Sequence, residues 1–148
     1  MFAATQSGSK SESMARRLEN TRVPSATLFE QLLNDNRRLV GLRAQGKAKR
    51  LEQMVSCEAW IEAALEMVAL EAPAWKMQRV CRDDCDWLCT LTQFRDLPSW
   101  LDDSAEGRHP VLELAILCAL IDTRQHQTST AAAHRSMSAA SMDSGTCR

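Results

Sequence analysis

The chain reads as an α+β domain: a helical hairpin, then a two-stranded β-hairpin over about residues 75–92, then a buried C-terminal helix. Three observations predict this. Between Pro24 and Glu71, apolar residues recur at three and four, the spacing of a helix face. From Trp75 to Thr92 the period drops to two. Trp75, Met77 and Cys81 fall on odd positions, and Trp87, Cys89 and Leu91 do the same after an Asp-rich gap. From Val111 to Arg124, Leu112, Leu114, Ile116, Leu117, Leu120 and Ile121 make a segment apolar nearly all round. At about fourteen residues it is a buried core helix, too short for a bilayer. If residues 75–92 were helical instead, the alternative is an all-α bundle.

The 148 residues, 45% apolar and 25% charged, suit one domain. Residues 1–13 offer almost nothing to bury and predict a disordered N-terminal tail; 14–124 form the single small domain. Residues 125–148 contain no Leu, Ile, Val or aromatic side chain. Such a segment buries too little to offset its ordering entropy, roughly 1–2 kcal/mol per residue, and predicts a second disordered tail.

Within the domain, Met14–Arg22 predicts a helical turn or two. The first long helix follows Pro24, capped by Ser25 or Thr27, with Thr27 and Glu30 in capping-box spacing. Its stripe is Phe29, Leu32, Leu33, Asn36, Leu39 and Val40, and Gln45-Gly46 ends or bends it. Asn36 in that stripe reads either as a register-setting polar residue of a coiled coil or as a residue at the stripe's edge. A second helix is expected from about Lys47 to Glu71, with Leu51, Met54, Val55, Ile61, Leu65 and Val68 inward and a kink near Met54–Glu58. Pro73 ends it.

In the hairpin, pairing Cys81 with Trp87 places Met77 across from Leu91, and Arg82–Asp86 is the loop. Leu97–Leu101 predicts one short helical turn and Asp102–Arg108 a polar loop. Pro110 suits the first position of the final helix.

The run AWKMQRVCRDDCDWLCTL, the following DLPSWLDDSAEGRH and the helix VLELAILCALID together resemble short uncharacterised proteins of rhizobial alphaproteobacteria, over about residues 50–124. Those proteins often carry glycine where this chain has Cys85, which favours a turn there. The resemblance implies a bacterial protein with a helix–hairpin–helix order. No activity comes with it.

Charge is uneven. Residues 1–50 carry ten Lys or Arg against four acids, and residues 51–113 carry five against thirteen. A basic half beside an acidic half favours attraction within the chain or to another copy over a single-sign surface for nucleic acid. The N-terminus lacks the basic flank and apolar stretch of a secretory signal, and no run reaches membrane-spanning length. Six cysteines in such a chain predict free thiols in a reducing cytoplasm.

Three functional classes follow. The leading expectation is a non-enzymatic, cytoplasmic protein-interaction or regulatory protein that self-associates, with no cofactor and no membrane partner. An isolated two-stranded ribbon is marginal in water, so it must lie on a helix or pair with a second chain, through Met77–Cys81 or Trp87–Leu91. Arg37, Arg38, Arg43, Lys47, Lys49, Arg50, Trp75, Met77 and Trp87 are the candidate contact residues. The alternative is a nucleic-acid-binding regulator in which the basic run 37–50 tracks phosphates; no aromatic interleaves that run. The third is a thiol or metal protein built on Cys81, Cys85 and Cys89, spaced by four, a spacing unlike the usual zinc or cluster signatures. His109, beside Asp102, Asp103 and Glu106, is a remote acid–base candidate and more simply a capping residue.

Overall fold

A computed structural model describes the backbone of residues 5–93 and 104–142, and the side chains of 12–93 and 104–127. It is α+β. In chain order the elements are α1 (Thr5–Asn20), α2 (Ala26–Asp35), α3 (Arg37–Ala44), α4 (Lys49–Ser56), α5 (Trp60–Glu71), β1 (Trp75–Asp83), β2 (Asp86–Gln93), β3 (Ser104–His109) and α6 (Leu112–Met142).

Each of the two long helices expected from the sequence is divided, and a local cause is visible at each break. Ser25 caps α2, its Oγ accepting from the Leu28 amide at 3.3 Å. Asn36 then leaves the helix in an extended conformation and caps α3, its Oδ1 accepting from the Arg38 amide. The stripe residue is therefore a helix break, neither a register marker nor an edge position. After α3, Gly46 at φ 73° closes a turn in which Lys47 N–H reaches Leu42 O and Gly46 N–H reaches Arg43 O. The same pattern ends α4: Ala59 N–H reaches Met54 O and Glu58 N–H reaches Val55 O. There Glu58 holds the left-handed position at φ 57°. The kink expected near Met54–Glu58 is thus a full break.

That break turns α5 about its axis. It buries Ala63, Ala64, Met67, Val68 and Glu71 and leaves Ile61 and Leu65 40% and 43% exposed, against the expectation that both face inward. Val40, also expected inside, is exposed on α3. Phe29 of α2 stacks on Trp60 of α5, ring centroids 5.6 Å apart.

The β-hairpin forms where the alternation predicts it, but the sheet has three antiparallel strands in the order β1-β2-β3. Met77 pairs with Leu91 as expected. A bulge between Met77 and Arg79 then shifts the register, so Cys81 pairs with Leu88 and Arg82 with Trp87. The extra residue shortens the loop to Asp84-Cys85, between the paired Asp83 and Asp86, with Asp84 at φ 55°. The third strand occupies most of the segment read as a polar loop. Its burial alternates strictly: Ala105, Gly107 and His109 point in, Ser104, Glu106 and Arg108 out. The signal was hidden because two of its three inward residues, Ala105 and Gly107, are small. A Cβ built on Gly107 would lie 2.2 Å from Ala115 O and 2.3 Å from Ala119 N, so α6 lies directly against the strand's backbone.

α6 is the common partner, packed by β2 and β3 and by α1 and α5. Leu114, Ala115, Ile116, Leu117, Ala119, Leu120 and Ile121 are buried on it, which is why this segment is apolar all round. Pro110 stands in the bend before it. Helix also extends into both segments expected to lack structure: α1 begins at Thr5, and α6 runs past Arg124 to Met142. In the second case the reason is intrinsic. The stretch 126–142, with alanines at 131–133 and 139–140 and no Gly or Pro, continues a helix already nucleated by packing. In α1, Met14 and Leu18, four apart, insert into the core beside α6. The short turn expected at Leu97–Leu101 lies outside the described residues.

Candidate interaction surfaces

The basic run 37–50 is spread over α3, the following turn and α4, and half of it is engaged within the chain. Arg43 donates through both terminal nitrogens to Glu30 and through Nε to Glu52 at 2.7 Å. Those two carboxylates hold its guanidinium above the usual arginine range, Glu30 contributing most. Arg38 Nε donates to Leu70 O, and Arg50 lies 4.0 Å from Glu66. Arg37, Lys47 and Lys49 are exposed, with no ion pair among the described residues.

The aromatic and thioether candidates separate as well. Trp75 is buried in the core with its ring 5.8 Å from that of His126, so no partner reaches it. Met77 is half-buried on β1. Trp87, also half-buried, lies under the Arg82 guanidinium, 5.8 Å from its ring centroid, and orders the hairpin tip by a cation–π contact.

The three cysteines spaced by four do not converge. Cys81 shares a sheet face with Leu88, Cys89 shares the opposite face with Val80, and Cys85 is exposed in the turn. Among the described residues no group of three His, Cys, Asp or Glu side chains could hold a metal ion. Burial pushes the Cys89 thiol up to about 11, with Cys81 adding to it. It pushes Cys118 up to about 12, with Glu19 and Cys89 adding to it. Both are therefore neutral thiols near neutral pH, and poor nucleophiles.

His109 is 2% exposed at the end of β3, and its Nδ1 accepts from the Val111 amide at 2.9 Å. That bond satisfies a free amide at the start of α6, so the imidazole acts as a cap. A cleft of about 250 Å³ between α1, β3 and α6 is lined by Glu19, Glu106, Arg108, Cys118 and Asp122 among others. Its Asp122 carboxylate accepts from the Glu106 amide at 3.0 Å and thereby closes part of the β3 edge.

The polar group that sequence reasoning missed is internal. Glu71, 4% exposed, receives Arg124 in a bidentate ion pair together with the Asn36 side-chain amide. Arg124 also reaches Leu32 O, so the node fastens the α2–α3 break and the end of α5 to α6. A Glu beside helix-ending Ala72-Pro73 carried no signal of burial.

Among the described residues, large apolar side chains are exposed at Val23, before α2, and on two further surfaces. The α3–α5 layer exposes Val40, Ile61 and Leu65. Among the described residues β1 is an edge strand, with Arg79 and Arg82 exposed and Val80 44% exposed. Such a chain is an α+β scaffold presenting helix and strand surfaces. No protein-family model, no curated protein and no solved structure matches it. Among the described residues no helix is long and apolar enough to cross a membrane.

Proposed function

We propose that this chain is a non-enzymatic protein-interaction module that self-associates through the outer surface of the α3–α5 layer. The observation that carries the reading is the pair Ile61 and Leu65, exposed on successive turns of α5. Glu58 and Glu62 flank them, and neither has an ion partner among the described residues. Arg37, Lys47 and Lys49, on α3 and the α3–α4 corner, are unpaired in the same sense. A second copy supplies both what the apolar pair lacks and the opposite charge for each set. Twofold symmetry lets the acidic–apolar strip of each copy meet the basic corner of the other. Free thiols fit a reducing compartment such as the cytoplasm.

Sedimentation and light scattering across concentration test this. The expected result is a reversible dimer that weakens with added salt and is abolished in Leu65→Lys, with the circular dichroism spectrum unchanged. A wild-type chain that stays monomeric at every accessible concentration overturns the proposal.

A further inference from the structure

The two edges of the sheet differ. The β3 edge is partly closed, because Asp122 caps the Glu106 amide and α6 lies against the strand. Among the described residues the β1 edge is open from Met77 to Arg82. Among the described residues, no main-chain or side-chain hydrogen bond reaches its outer side from Met77 to Arg82. Above the bulge, Arg79–Asp83 pairs with β2 in continuous register, leaving a regular row of outward amides and carbonyls.

The geometry points to this edge as a strand-addition site for an extended, acidic peptide segment of a partner protein. Main-chain hydrogen bonds supply the affinity in this mode of recognition, and alternate side chains supply the selectivity. Alternation places Arg79 on the face of Thr90 and Arg82 on the opposite face, with Trp87, so a guanidinium flanks the added strand on each side. No acid lies between Trp75 and Arg82. Val80, exposed between the two arginines, offers an apolar contact to a β-branched residue of the peptide. Charge also disfavours the central register of the obvious competitor. Two β1 edges paired antiparallel about Arg79 would set Lys76 against Arg82 and arginine against arginine, which like-charge repulsion disfavours. The arginines on both faces of the edge favour an acidic strand as the occupant over a second copy of β1.

The test uses the full chain and a fluorescent peptide of alternating Glu and Val, with three comparison peptides: alternating Lys and Val, a scrambled sequence of equal charge, and the Glu-Val peptide N-methylated at alternate residues. The expected outcome is saturable binding of the Glu-Val peptide alone. Affinity should fall about tenfold on raising salt from low to moderate strength and by at least about tenfold in Arg79→Glu. Amide hydrogen exchange should slow across Met77–Arg82. Equal binding by the N-methylated or scrambled peptide would reduce the effect to ionic attraction and overturn strand addition. So would absence of binding, or protection elsewhere with none on β1. The Leu65→Lys variant should bind the peptide as the wild type does, because the helical surface takes no part.

Discussion

A Cβ at position 107 has no room, because α6 passes with Ala115 O and Ala119 N within 2.2 and 2.3 Å of where it would stand. Both obstacles are main-chain atoms of a buried helix and cannot rotate aside. Gly107→Ala should therefore separate β3 from α6 and cost more than the roughly 1–3 kcal/mol typical of overpacking, read as a fall in the urea midpoint. The Glu71–Arg124 pair is expected to behave asymmetrically. Arg124→Met leaves a carboxylate buried without its cation, a loss of about 3–5 kcal/mol, whereas Glu71→Leu with Arg124→Met removes both charges and should recover most of it. Equal stability of the single and double variants would show that the pair is not coupled. The thiols give a pH dependence of definite sign. Cys89 and Cys118 are raised to about 11 and about 12 in the folded chain, from an ordinary value of 9.0. Above pH 9 the unfolded chain releases protons that the folded chain retains. Stability is then complete below that point and falls as pH rises towards 11, by up to about 1.4 kcal/mol per unit for each thiol. At pH 8, iodoacetamide should label the exposed Cys57 and Cys85 and spare Cys89 and Cys118. Rapid labelling of all five described cysteines would contradict the burial.

At the level of elements, the two helix breaks show what local chemistry decides. Gly46 and Glu58 occupy equivalent places in the same C-terminal motif, both in the left-handed region, but only glycine is free of a Cβ there. Glu58→Gly should relieve strain at α4 and stabilise the fold by about 0.5–1 kcal/mol, after the entropy that glycine adds to the unfolded chain. A thermal midpoint that falls instead would place an uncounted contact on the Glu58 side chain. These breaks also explain what was legible in the sequence. The hairpin was readable because Trp75, Met77, Leu91 and Trp87 alternate in a segment where a helix would have held Asp84 mid-stripe. Of the division of Lys47–Glu71 only a kink near Met54–Glu58 was readable, since the residue that completes the break, Glu58, carries a helix-favouring side chain. β3 was not readable: strand patterns are recognised by bulky inward residues, and Ala105 and Gly107 are small because a helix backbone fills the space. The bulge at Gln78 was equally silent, because it changes register without changing composition. Of the candidate contact residues, Trp75 and Arg43 are engaged within the chain. The partners that engage them, the core and Glu30 with Glu52, lie on other elements.

For the molecule as a whole, the third strand changes what self-association has to accomplish. A two-stranded ribbon with no helix beneath it would have needed a second chain, and folding would then have depended on dimerisation. Here β3 pairs with β2 from Trp87 to Thr92, and α6 covers the sheet's inner face, so each chain completes its own sheet. Trp87–Leu91 belongs to the central strand and has no edge to offer a partner. The proposed dimerisation through Ile61 and Leu65 would therefore add stability to a chain whose sheet is complete without it. This fixes the expected concentration dependence. The thermal midpoint of the wild type should rise with protein concentration, as binding to the native state requires. That of Leu65→Lys should be constant and equal to the wild-type value extrapolated to infinite dilution, because the substituted side chain is already 43% exposed and leaves no cavity. If Leu65→Lys instead unfolds far below that limit at every concentration, the exposed pair supports the monomer itself, and the interface must be sought on another face.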